Sequence, residues 1–184
     1  MATNEAYANR TSETLRDVVA DIIFLLKQAG QTVAVAESLT AGSVMAAITS
    51  VGGASSVFRG GVVSYATDLK RRLLNVDGSL IDREGVIHGE VARQMAIGAR
   101  KIATTDTAQP TSWGVSTTGV AGPDLQDGKA VGTVFIGIAS QHQTWALGPF
   151  NFPGDREQIR QATVLEALSQ LRELLRTQRA DVQL

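Results

Sequence analysis

A strand that ends on a serine constrains this chain more than any other feature. In the run Val33-Ala34-Val35-Ala36-Glu37-Ser38-Leu39-Thr40-Ala41-Gly42, a short apolar stretch stops at a hydroxyl, and small residues with a helical pattern follow at once. A strand that passes directly into a helix is a building unit of α/β folds. It places the Ser38 hydroxyl at a sheet edge beside the first amides of a helix. Such a spot serves acyl transfer, and it equally serves anion binding. Ala41, Gly42 and Ser43 would let a ligand approach those amides closely, so Thr40, Ala41 and Gly42 join Ser38 as candidate binding residues. The plain alternative is that Ser38 and Thr40 only cap the helix.

The rest of the chain continues the alternation. Apolar residues at Leu15, Val18, Val19, Ile22, Ile23, Leu25 and Leu26 predict an amphipathic helix over 11–29, closed by Gly30. Residues 33–36 form the first strand and 40–49 a helix of small residues. A glycine-rich strand over 58–65 and a short helix over 68–74 come next, then a longer helix over 89–103. Strands follow at 113–117, 131–139 and 144–150, the last two paired through a turn at 140–143. Asp155 is the natural cap of a final helix running to about Arg179. Residues 1–10 are polar and are expected to lie outside the ordered fold. There is no internal repeat and no linker, so residues 1–184 read as a single domain. The pattern predicts an α/β fold, specifically a three-layer α/β/α sandwich with a mixed, mostly parallel sheet. In such folds ligands bind beyond the carboxyl ends of the strands.

Composition removes several classes of function. With 17 basic and 18 acidic residues the net charge is −1, which leaves no electrostatic footprint for nucleic acid or an anionic membrane surface. Aromatic residues make up 5%, too few for a base-stacking platform. No apolar run approaches the roughly 18–20 residues of a membrane span, and the first residues lack the basic-then-apolar order of a signal peptide. A cytoplasmic protein is expected. Cysteine is absent, which excludes a thiol nucleophile and any zinc site built on thiolates. The two histidines are poorly placed for a triad: His88 precedes a helix as a cap, and His142 sits in the 140–143 turn. Asp106, Asp124 and Asp127 stand on separate loop positions without a helical partner, so no metal or other cofactor is expected.

Two further corners match the first in character. In Gly60-Gly61-Val62-Val63-Ser64-Tyr65-Ala66-Thr67-Asp68-Leu69-Lys70, Tyr65 ends a strand and Lys70 falls in the first turns of a helix. The positive field of a helix start, together with burial, pushes a lysine toward a usable base. A solvated cluster with Arg71 and Arg72 is the competing reading. In Ser116-Thr117-Thr118-Gly119-Val120-Ala121-Gly122-Pro123, a strand exit with hydroxyls and glycines can form an anion nest or oxyanion donors, or merely a tight turn. Three strand ends bearing hydroxyls and glycines, in a chain without a usable histidine, point to chemistry that does not rest on imidazole.

The segments 36–42, 60–65, 70–76, 118–123, 131–134 and 152–160 occur in an order that resembles the C-terminal domain of the CinA (competence/damage-inducible) family, over residues 12–178. That family includes stand-alone nicotinamide mononucleotide (NMN) deamidases. The resemblance implies hydrolysis of the NMN carboxamide to nicotinate mononucleotide and ammonia by a serine nucleophile and a lysine base. Position by position, it implies Ser38 as nucleophile and Lys70 as base, with Tyr65 bridging or orienting them. Thr118 and Gly119 would line the substrate loop, and Arg156 would hold the phosphate or carboxamide. It also implies a homo-oligomer. Two departures stand out: Leu39-Thr40-Ala41-Gly42 replaces the usual Cys-Thr-Gly-Gly, and Thr67-Asp68 replaces an Asn-Glu pair. At this length, the molybdopterin-binding-like domain of full-length members is not expected. A nucleotide-binding or regulatory module without hydrolysis is the alternative reading.

Overall fold

The computed structural model describes residues 13–182. The expectation for residues 1–10 falls outside that range. Helix α1 (Leu15–Ala29) starts later than the periodicity suggested, because Thr14 caps it: its side chain accepts the Asp17 amide while the Asp17 carboxylate accepts the Thr14 amide. Gly30 closes it with φ 63°, a conformation that favours glycine. Then come β1 (Val33–Glu37), α2 (Ser43–Thr49), β2 (Phe58–Val63), α3 (Thr67–Leu74) and α4 (Gly78–Glu84). The chain continues with α5 (Gly89–Ile102), β3 (Trp113–Gly119), β4 (Thr133–Ala139), β5 (Thr144–Asn151) and α6 (Arg156–Val182).

Two local differences from the sequence reading matter for the site. The helix expected from Thr40 begins at Ser43, after Ala41 and Gly42 adopt φ 50° and φ 100°. Strand β3 runs on to Gly119, which moves Thr118 out of the loop and into the ladder opposite Phe135. Helix α4 was not anticipated; Asp77 starts it by accepting the Ser79 amide. His88 caps α5 as expected, its Nδ1 accepting the Glu90 amide. Asp155 and Gln158 form a reciprocal cap at the start of α6.

The five strands form one sheet in the order β2-β1-β3-β4-β5. β2, β1 and β3 are parallel neighbours, and β4 pairs antiparallel with β3 and β5. Only β4 therefore runs against the common direction. Helices cover both faces. Val33 and Val35 of β1 enter one core with α1, α2 and α6, while Ala34 and Ala36 enter a second with α3, α4 and α5. This division follows the period of two that a fully buried strand imposes.

The second face is built for close approach. A Cβ at Gly114 would stand 2.0 Å from the Ala96 carbonyl oxygen, and one at Gly137 would stand 2.1 Å from that of Ala92. Small residues in the sheet thus let α5 lie directly on it. The chain leaves β1 toward β2 on one side and returns to β3 on the other. The carboxyl ends of β1 and β3 consequently flank a topological switch point, where open α/β sheets form crevices.

Candidate active site

Ser38 follows the last residue of β1 and is tied to the neighbouring strand by its amide, which donates to the Thr117 carbonyl at 3.1 Å. Lys70 comes from the first turns of α3 and is 1% exposed. Its Nζ lies 3.0 Å from Ser38 Oγ, 2.6 Å from the Ser64 carbonyl oxygen and 3.4 Å from that of Tyr65. The two carbonyls aim the amine at the serine without neutralising it. Burial holds the Lys70 amine at about 8, below its ordinary 10.5, and the Asp127 carboxylate pulls the other way. Asp127 is itself fixed at φ 51°, where it accepts the Val86 amide at 2.7 Å.

Ser38 and Lys70 face a cleft that Tyr65, Gly119 and Arg156 also line. Tyr65 is 57% exposed; its phenol accepts from Arg156 Nη2 at 2.9 Å, and its backbone carbonyl, not its ring, meets Lys70. The serine and the lysine are in direct contact, so no bridging group stands between them. Arg156 also donates to the Gly122 carbonyl at 2.6 Å. Among the described residues it has no carboxylate in ion-pair range, which leaves a guanidinium charge at the cleft mouth for an anion.

Other candidates stand elsewhere. The Thr40 hydroxyl is buried and paired with that of Thr117 at 2.7 Å, so Thr40 is part of the β1–β3 seam. Thr118 is buried, and its hydroxyl donates to the Val86 carbonyl at 2.7 Å. Ala41 and Gly42 form the left-handed turn behind Ser38 and do not line the cleft. The expected use of the α2 amides for an oxyanion is corrected by Glu37. This carboxylate, 0% exposed, accepts the amides of Gly42, Val44 and Met45 at 2.8, 3.1 and 2.9 Å.

The amides of Ala41 and Ser43 are also taken, by the carbonyls of Ser38 and Thr40. Leu39, Ala121 and Gly122, which line the cleft, are among the residues there whose amides make no hydrogen bond to the described residues. Unpaired amides of this kind serve a developing negative charge where they face it. Sequence reasoning missed Glu37 as a helix cap, although a carboxylate closing an apolar strand signals a need for donors. It also missed Arg160, which donates to the carbonyls of Leu39 and Thr40, each at 3.2 Å. No group of three or more metal-ligating side chains occurs among the described residues, and no described helix is long and apolar enough to cross a membrane.

The family model of the CinA C-terminal domain matches residues 15–175. A CinA-like protein of Frankia casuarinae is 42% identical over 154 residues, covering 84% of this chain and 34% of its own length. One from Citrifermentans bemidjiense is 42% identical over 159 residues, covering 86% and 37%. The chain thus spans little more than a third of these relatives. Among solved structures, a CinA-superfamily protein of Escherichia coli superposes with a TM-score of 0.81 at 25% identity, covering 88% of this chain and 90% of that one. The competence/damage-inducible protein CihA of Agrobacterium tumefaciens gives 0.78 at 30%, covering 88% and 95%. The match runs from the first turn of α1 into the last turns of α6 and takes in all five strands with the cleft at their ends; this chain belongs to the CinA C-terminal domain family.

Proposed function

We propose that this protein is an amidohydrolase that deamidates nicotinamide mononucleotide through Ser38 and Lys70. The observation that carries the reading is the 3.0 Å contact between a buried lysine amine, held at about 8, and a serine hydroxyl at the switch point of the sheet. At pH 7 about one molecule in ten carries Lys70 as the neutral amine. That amine takes the Ser38 proton as Oγ forms a bond to the carboxamide carbon, and the electron pair of the C=O bond moves onto oxygen. The amides of Leu39, Ala121 and Gly122 supply the donors for that oxyanion. The C–N bond then breaks, and the departing nitrogen takes the proton from the Lys70 ammonium and leaves as ammonia. A water molecule, deprotonated by Lys70, attacks the ester, and its collapse returns the proton to Ser38 Oγ and frees nicotinate mononucleotide. Arg156 holds the phosphate at the cleft mouth.

The test is ammonia release from NMN by the wild-type protein and by Ser38→Ala. Wild-type turnover that falls by at least about 10³-fold in the variant, with the fold intact, is the expected result. Undiminished release from Ser38→Ala overturns the nucleophile. Binding of NMN in calorimetry with no ammonia from the wild type identifies a nucleotide-binding module instead. The departures Leu39 and Ala41 keep that second outcome in the design, since Leu39 lines the cleft and Ala41 holds φ 50° behind it.

A further inference from the structure

Two charged side chains that do not line the cleft hold the backbone that carries Ser38. Residues 38–42 connect β1 to α2, and two of them stand in the left-handed region, Ala41 at φ 50° and Gly42 at φ 100°. A non-glycine residue there is strained unless its surroundings fix it. From below, the Glu37 carboxylate gathers the amides of Gly42, Val44 and Met45. From the side, Arg160 of α6 donates through Nε to the Leu39 carbonyl at 3.2 Å, and through Nη2 to the Thr40 carbonyl at 3.2 Å and Ser43 Oγ at 3.1 Å. Glu157, one turn earlier, orients the guanidinium at 3.0 Å. One group takes donors where the segment enters α2, and the other takes acceptors within the segment.

We infer that Arg160 and Glu37 are positioning residues that preset the Ser38 hydroxyl against Lys70, an inference that rests on the amidohydrolase reading above. Neither touches the reacting atoms. Their effect is to hold the backbone that follows Ser38, from Leu39 to Met45, so that Oγ meets Lys70 Nζ without a search through backbone conformations. Misplacing a reacting group by about 1 Å costs about 10²-fold in rate, so release of this segment acts on kcat. The planar guanidinium serves two neighbouring carbonyls at once, which a lysine ammonium cannot do in the same geometry.

The experiment compares Arg160→Ala, Arg160→Lys and Glu37→Gln by two readouts. One is NMN turnover, resolved into kcat and KM. The other is the rate at which phenylmethylsulfonyl fluoride adds to Ser38, followed by intact mass against a Ser38→Ala control. For Arg160→Ala, kcat and the labelling rate are expected to fall together by about 30- to 100-fold, with KM within about threefold. Arg160→Lys is expected to recover part of both, and Glu37→Gln, which loses one acceptor, to fall by about tenfold in both. Unchanged kcat and labelling in Arg160→Ala overturn the inference, as does a loss confined to KM, which would put Arg160 on the substrate. If NMN is not turned over but Ser38 still labels, the substrate reading fails while the labelling ratio decides the positioning role. A wild-type protein that neither turns over NMN nor labels overturns both.

Discussion

The corners after β1 and after β3 are alike in composition and opposite in use. Both leave the sheet through hydroxyls and glycines, and both set backbone amides beside the same cleft. After β1, the amides of Gly42, Val44 and Met45 are closed by the Glu37 carboxylate, and those of Ala41 and Ser43 by local carbonyls. After β3, the Val120 amide returns to the ladder through the Thr133 carbonyl, and the amides of Ala121 and Gly122, two residues that line the cleft, make no hydrogen bond to the described residues. A helix N-terminus beside a candidate nucleophile is therefore not an anion site when a buried carboxylate precedes it. In the proposed reaction the first corner holds the nucleophile and lends the Leu39 amide, while the second supplies the other two donors, Ala121 and Gly122.

The comparison breaks most sharply at Lys70. Replacing it by methionine keeps the bulk and removes the base, and turnover of NMN is expected to drop by at least about 10³-fold. In the wild type, kcat/KM is expected to rise about tenfold per pH unit below the lysine value and to level off above about 8. A flat profile from pH 6 to 9 would remove Lys70 as the base. Stability carries the same signature. Because the folded lysine titrates at about 8 and an unfolded one near 10.5, the unfolded chain binds more protons between those values, and folding strengthens as pH rises through that window. The gap corresponds to about 3 kcal/mol, fully imposed below pH 8 and relieved by about pH 10.5. Urea unfolding of wild type and Lys70→Met at pH 7.5 and 10 should show the wild type gaining on the variant as pH rises.

A smaller effect separates support from contact at the second corner. Thr118→Val removes a hydroxyl that serves only the Val86 carbonyl, so it is expected to cost about 1–2 kcal/mol of stability. Its kcat/KM on NMN should stay within about threefold of wild type once the protein is folded. A large rise in KM with unchanged melting would instead place Thr118 on the substrate.

The sequence was most readable where local chemistry decides the outcome. The stop at Ser38 and the cap at His88 both follow from the order of neighbouring residues. The alternation of runs was enough for the layered architecture and for the turn between β4 and β5. Helix α4 escaped because the seven residues Gly78–Glu84, capped by Asp77, are too few to display a helical period. Thr40 and Thr118 were misplaced because strand pairing, not composition, decides whether a hydroxyl meets the cleft or a neighbouring chain. Arg160 was invisible for a related reason: its partner Leu39 lies 121 positions away, and only the packing of α6 beside α2 brings them together.

The most direct measurement is the titration of the Lys70 amine itself, followed by NMR of protein carrying isotope-labelled lysine, with its resonance assigned by loss in Lys70→Met. A buried amine poised to take the Ser38 proton predicts a midpoint near 8. A Lys70 resonance that titrates near the ordinary lysine value of about 10.5 would contradict it, and hydrolysis through a serine–lysine pair would fall with it.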